Sequence, residues 1–277
     1  MALMLTQALN PSFSRDDDNM YTFGIVPQQS ASRLAEIWIP ILEAWGEAAG
    51  LELTFATAKD IPTFEACLSV GAYDFSYMNP YHYTVFHELS GYEAFAHQKD
   101  KELRGLIVTR RDSGISDLKE LDQSRVAFPS PAAFGASVIP RAEMKALGVD
   151  FEALYVKSHD SVYRAVSSGL VQAGGGVLRT FRTIDDDLRS TLKLVYQTDG
   201  YTPHAFAAHP GVDDAVVTSL LMAMTDPLAA ETDFLSSLGM AGIEVASDAE
   251  WDDVRALDLT HDQTNIVDDE VFTCHSG

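Results

Sequence analysis

Eight histidines, two cysteines and forty-one carboxylates are the side chains through which this 277-residue sequence could do acid–base, nucleophilic or metal chemistry. Their spacing supports none of it. The histidines stand at 82, 87, 97, 159, 204, 209, 261 and 275, and His82 and His87 are five apart, one step off the shared face of a helix. No HExxH, GxSxG or CxxC pattern occurs, so zinc-protease, nucleophile-elbow and thiol-redox readings fall. Gly174-Gly175-Gly176 should follow a strand, but neither Gly-Lys-Ser/Thr nor GxGxxG completes a nucleotide loop, and close backbone packing is its expected role. Adjacent acids such as Asp185-Asp186-Asp187 read as a solvated face in so acidic a chain. Cys67, beside Phe64 and Leu68, reads as a small buried thiol, and Cys274 lies in a polar tail; a bridge between them stays open. The residues predict no catalysis, no metal and no cofactor.

Composition narrows the partners. Nineteen basic against forty-one acidic residues leave a formal charge of −22, a field that repels phosphate backbones and anionic lipid, so no nucleic acid is expected to bind. With 46% hydrophobic residues the chain can bury a core, and no run nears the roughly eighteen apolar residues of a membrane span. The start, MALMLTQALN, lacks the basic opening and cleavage site of a secretory signal. Ser14–Asn19 reads as a solvated leader, so residues 1–20 are expected to precede the folded part.

The elements that must position any site alternate between strand and helix. Tyr21–Val26 predicts a strand ended by Pro27. Leu34, Ile37, Trp38, Ile41, Leu42 and Trp45 recur at helical spacing around Pro40, and Gly50 stops that helix. A strand at Leu51–Ala56 precedes a helix capped by Asp60. Phe75–Met78 predicts a strand, and Asn79-Pro80 a helix turning Val85, Phe86 and Leu89 inward. Strands are expected at Leu106–Thr109, Val126–Phe128, Leu154–Val156, Val171–Ala173 and Leu192–Tyr196. Helices are expected at Asp117–Leu121, Phe134–Leu147, Asp160–Ser168 and Asp213–Thr225. The alternation predicts an α/β architecture with largely parallel sheets, whose ligands sit where strands end and helices begin.

Seven segments in order carry a resemblance: Phe-Gly-Ile-Val-Pro (23–27), Tyr-Asp-Phe-Ser-Tyr-Met-Asn-Pro (73–80), Arg-Gly-Leu-Ile-Val (104–108), Asp-Leu-Lys-Glu-Leu (117–121), Val-Ala-Phe-Pro-Ser-Pro (126–131), Ser-His-Asp-Ser (158–161) and Ala-Val-Ser-Ser-Gly-Leu-Val-Gln-Ala (165–173). Together they resemble the phosphonate/phosphite-type substrate-binding proteins of ABC importers. The resemblance implies a two-lobed periplasmic-binding-protein fold of type 2, with two crossovers and a ligand cleft between lobes. Lobe one is expected at 21–108 plus 206–277 and lobe two at 109–205.

Carried over residue by residue, the resemblance implies a non-enzymatic protein that captures a small, anionic, phosphonate-like solute for import. The family's Ser-Thr-Ser run falls on Ala133, Phe134 and Gly135, so the hydroxyls are gone and the amides of Gly135, Ala136 and Ser137 remain to meet an anion. The alternative is that Phe134 simply packs. His159 falls at a ligand-contacting position or is a satisfied interior histidine. His204 and Arg179 replace acidic positions, which argues against a cationic amine on the ligand; Arg179 either faces the cleft or pairs with a surface acid. Ile61 replaces a tyrosine. From lobe one, Gln28 or Gln29, Tyr77, Asn79 and Tyr81 are expected to contribute, with Tyr83 in the core. The implied partners are the small ligand and an ABC permease, or a sensor kinase if the module signals instead. A monomer in the periplasm or another extracytoplasmic space is expected.

Overall fold

The computed structural model describes residues 19–226, 235, 236, 238–259, 264, 266 and 274. Of the expected leader, 1–18 lie outside the described residues, as do His261 and His275. Asn19 and Met20 belong to the fold instead: Asn19 donates its side-chain amide to the Gly50 carbonyl, and Met20 opens strand β1, Met20–Ile25.

Helix α1, Ala31–Ala49, starts where the Ser30 hydroxyl accepts the Arg33 N–H and runs as one element through Pro40. Gly50 ends it in the left-handed region at φ 71°, a conformation that costs glycine nothing. The predicted stripe is buried at Leu34, Trp38, Ile41, Leu42 and Trp45, and packs through Phe23 and Phe206 onto the first sheet. β2, Glu52–Thr57, and α2, Ile61–Ser69, follow, with Asp60 accepting from the Thr63 N–H. β3, Phe75–Met78, leads into α3, Pro80–Ser90, which Asn79 caps. Val85 and Phe86 turn inward as expected, whereas Leu89 in the last turn is exposed.

The first sheet has six strands in the order β11-β4-β10-β3-β1-β2, where β4 is Glu93–Gln98, β10 is Ala205–Ala208 and β11 is Ile243–Val245. The second has five in the order β7-β6-β8-β5-β9, comprising β5 Gly105–Arg110, β6 Ser124–Phe128, β7 Phe151–Tyr155, β8 Ala173–Val177 and β9 Leu192–Gln197. Both sheets are mixed, not largely parallel: β10 runs antiparallel to β3 and β4, and β5 antiparallel to β8 and β9. These reversals arise where the chain changes sheet. It leaves the first after Gln98, returns after Gln197, and the two connecting segments hydrogen-bond to each other through Leu103 and Tyr201 at 2.7 and 3.0 Å. The expected crossing at 108/109 falls inside β5, and that at 205/206 at the start of β10.

Gly174, Gly175 and Gly176 lie within β8, not after it. A Cβ on Gly174 would stand 2.4 Å from Val162, on Gly175 1.9 Å from the Ala136 carbonyl oxygen, and on Gly176 2.3 Å from the Tyr163 hydroxyl. Helix α5, His159–Ser167, and the turn at Phe134 therefore press directly on the strand, which is the close packing expected of the triplet. The helix expected at Phe134–Leu147 divides into a wide π turn, Phe134–Val138, and α4, Ile139–Ala146. Asp117 caps only a single 3-10 turn, Leu118–Leu121. Short helices α6, Leu178–Thr183, and α7, Asp186–Ser190, follow β8, and α8, Asp214–Thr225, follows β10.

Cys67 is not a free thiol. It is bonded to Cys274, with Cα atoms 4.7 Å apart across 207 positions of sequence, a separation that hides the pairing from any local reading. Among the described residues no helix is long and apolar enough to cross a membrane, and no group of three His, Cys, Asp or Glu is arranged to hold a metal.

Candidate ligand site

The antiparallel pairing of β3 with β10 sets Tyr77 beside Phe206 and brings the residue before β10, His204, over the Tyr77 ring. The two rings stack at 5.0 Å and 20°, and Trp38 of α1 backs Tyr77 from the core. Gln28 follows β1, where the Val26 N–H bonds the Tyr77 carbonyl. From the second sheet's side, α6 carries Arg179 across to Gln28 and donates to its Oε1. Because a guanidinium can only donate, the Gln28 amide must turn its NH2 toward His204, whose Nε2 lies 2.8 Å away. His204 Nε2 is then an acceptor, and its proton sits on Nδ1.

These side chains line a cavity of about 290 Å³, joined by Lys101, Arg104 and Leu103 from the first connecting segment. Arg104 is paired, with Glu102 at 2.5 Å and the Thr198 carbonyl at 3.2 Å. Arg179 is different. No carboxylate lies within 4 Å of its guanidinium among the described residues, despite an acid surplus of twenty-two. Among the described residues the surface pairing considered for it does not form.

The turn at Phe134 gives a contrasting surface. The N–H groups of Ser137 and Val138 turn back to the Ala133 carbonyl at 2.7 and 3.2 Å, so Ser137 has no amide to offer, and its hydroxyl accepts from Arg141 at 3.3 Å. Among the described residues, the first three amides of the turn, those of Phe134, Gly135 and Ala136, have no such backbone acceptor. Phe134 itself is buried, edge-on to Tyr201. Ile61 packs against Ala133, Ala136 and Val177 where the lobes meet. The space left among Ile61, Asn79, Phe134, Gly135, Ala136, His159 and His204 is about 20 Å³, room for about one water. Asn79 caps α3 through its Oδ1 and reaches across to the Ala132 carbonyl with its Nδ2, at 3.2 Å. Tyr81 faces elsewhere, its hydroxyl 3.1 Å from that of Thr264. Tyr83 is core, bonded to Asp248.

Both histidines of the site are held neutral. Burial, and then the nearby Arg179 charge, pull His159 down to about 4; His204 is lowered by the same two causes and by His82 and His159. The Nδ1 of His159 lies 3.2 Å from the Thr180 hydroxyl. Burial pushes the Tyr77 hydroxyl up, with Arg179 opposing. A cationic charge for a ligand anion therefore comes from arginine and lysine, not histidine. A pH effect follows. Above the unfolded-state value near 6.5 both forms carry neutral His159; below it the unfolded chain takes up a proton that the folded one refuses until about 4. Stability is thus lost as pH falls from about 6.5 toward 4, at up to about 1.4 kcal/mol per pH unit. Melting curves of the ligand-free protein from pH 7 to 5 should fall more steeply than those of His159→Gln; parallel curves would contradict this account.

Of the residues expected at the cleft, Gln28, Tyr77 and His204 line the main cavity; Arg179, left open between cleft and surface, lines it too, as do Lys101 and Arg104, which the sequence did not single out. Gln29 lines an adjoining chamber instead. The available signal was Arg179 itself, two residues beyond a strand end.

A family model described as the phosphonate-type periplasmic substrate-binding protein of ABC transporters matches residues 23–251. The chain belongs to this family. It is the periplasmic substrate-binding component of an ABC phosphonate-type transporter, a non-catalytic role. Solved structures share the two-lobed type 2 fold. A binding-protein component of an ABC phosphonate transporter from Pseudomonas aeruginosa superposes with a TM-score of 0.79 at 16% identity, covering 92% of this chain and 90% of its own. PhnD1 of Prochlorococcus marinus, in complex with methylphosphonate, gives 0.80 at 14% identity over 90% and 99%. A Xanthomonas citri protein bound to ATP gives 0.69 at 16% identity over 92% and 100%. Within the phosphonate-binding family, this member presents apolar side chains at Ile61, Ala133 and Ala136, and lines the adjoining cavity with Lys101, Arg104 and Arg179.

Proposed function

We propose that this phosphonate-family binding protein captures a small oxyanion in the 290 Å³ cavity, with Arg179 as its charge partner and Gln28, Tyr77 and His204 completing the seat. The observation that carries the reading is the Arg179 guanidinium, half-buried in the cleft and without a carboxylate neighbour among the described residues. Stripping water from an anion is costly unless fixed donors replace it, and a guanidinium fork supplies two at once. Asn79, Phe134, Gly135, Ala136 and His159 stand behind this seat, around space for about one water, and hold the lobes in register. The hinge lies in the paired segments 99–104 and 198–204, and ligand favours the closed form because Arg179 and Gln28 come from opposite lobes. The protein acts as a monomer and delivers the ligand to an ABC permease.

The test is a thermal-shift screen of the purified chain against phosphonates, phosphite, phosphate, sulfate, arsenate and small carboxylates, followed by calorimetric titration. Anions should raise the melting midpoint by mass action. A protein stabilised by organic amines and by none of these anions would overturn the reading.

A further inference from the structure

Beyond the cavity at His204 the cleft opens into a second chamber of about 600 Å³, and the two share Gln98, Lys101, Leu178 and Arg179 as their common wall. A five-heavy-atom oxyanion displaces about three waters' volume, on the order of 90 Å³. The inner cavity alone exceeds that, and the outer one is larger still. The outer chamber is also charged. Among the described residues, Arg33 and Arg182 line it with Lys101 and Arg179, against one acid, Asp160. Arg179 and Arg182 are three residues apart on α6, so they share a face; Arg179 stands in the wall common to both chambers and Arg182 lines the outer one. Arg182 has no carboxylate within 4 Å among the described residues, while Arg33 shares an exposed contact with Glu36 at 3.0 Å. Leu34, Ile37 and Trp38 of α1 give the chamber a stretch of apolar wall.

We infer that the ligand is an elongated dianion, its oxyanion head at Arg179 joined by a short carbon spacer to a carboxylate held in the outer chamber between Arg33 and Arg182. The inference rests on the anion reading proposed above. The spacer suits the apolar wall, and the carboxylate suits a guanidinium, which meets it in a two-bond fork. Such a ligand touches both lobes at two separated points, so it discriminates by length as well as by charge.

Calorimetric titration of the full chain with four compounds tests this: methylphosphonate, 3-phosphonopropionate, its carboxamide, and 2-aminoethylphosphonate. 3-Phosphonopropionate should bind about ten-fold or more tighter than methylphosphonate, and the carboxamide should lose that gain. Arg182→Gln combined with Arg33→Gln should bring 3-phosphonopropionate down to the methylphosphonate level and leave methylphosphonate itself unchanged. Both arginines are exposed, so the melting midpoint of the unliganded double variant should match the parent and exclude misfolding. Equal affinities for the carboxylate and the carboxamide overturn the inference and leave the anion site standing. Tighter binding of the amine overturns it in favour of Asp160 as the reader of the tail. If none of the four binds, this inference falls, and the anion reading then stands or falls with the wider anion screen above.

Discussion

Arg179→Gln is expected to weaken anion binding by about two orders of magnitude while leaving the ligand-free protein at least as stable as the parent. Removing one member of a desolvated, hydrogen-bonded charge pair costs roughly 2–5 kcal/mol, and each 1.4 kcal/mol is ten-fold in affinity. The stability half of the expectation has the opposite cause. A half-buried cation without a carboxylate neighbour among the described residues is itself unfavourable, and glutamine, shorter but still polar, removes the charge. The substitution also leaves a second trace. After burial, the Arg179 charge is what most depresses both His159 and His204. Without it, both imidazoles should titrate at higher pH, visible as a shift in their ring resonances on NMR titration. Arg179→Lys separates charge from geometry: it should keep the histidines depressed but recover only part of the affinity, because an ammonium cannot make the fork. Unchanged anion affinity in Arg179→Gln, with the histidine shifts present, would place the ligand elsewhere in the cleft.

The parts of this molecule that were legible in the sequence are those decided within one turn or one strand. Asp60 and Asn79 cap the helices they precede, and the Trp38–Trp45 stripe is buried as its spacing requires. The resemblance drawn from segments spread over residues 23–173 led to the right family. What failed depends on pairing across long separations. Ala205–Ala208 is too short and small to announce a strand, yet it joins β3 to β4 and turns the first sheet mixed. The glycine triplet packs closely as expected but lies within a strand and not after one, because the helix and turn atoms that press on it belong to other segments. The site divides the same way. Gln28 and Tyr77 stand at strand ends, where ligands are expected. Lys101 and Arg104 reach the cavity only because two connections, a hundred residues apart, bond to each other at Leu103 and Tyr201. Tyr81 and Ser137 were misplaced because a helix N-terminus does not fix which early side chain faces the cleft: Tyr81 meets Thr264, and the Ser137 amide is used within its own turn.

The bridge between Cys67 and Cys274 should contribute more to stability than any other single contact in the molecule. It closes a loop of 207 positions, and in the chain-entropy account a loop of that size restricts the unfolded ensemble by up to about 5 kcal/mol, with 3 a typical return. For a chain of this length each kcal/mol moves the melting midpoint by roughly 2–4 °C, so a drop of about 10 °C is expected. A Cys67→Ala, Cys274→Ala variant mixes that loss with packing, since Cys67 is fully buried in α2 beside Phe64 and Leu68. Reduction of the parent removes the link and no atoms. Most of the drop should therefore appear on adding a strong reductant, the double variant should start low and show no response to it, and the difference between reduced parent and variant measures packing alone. Neither cysteine lines the cleft, so affinity for an anion should stay within about two-fold in all three forms below their melting points. Disulfides persist in oxidising compartments, and the periplasm, where the family works, lets this one act throughout the protein's life. A reduced parent that melts with the oxidised one would mean that the unfolded chain is already held compact by other contacts, and that the bridge serves only to pin Cys274 against α2.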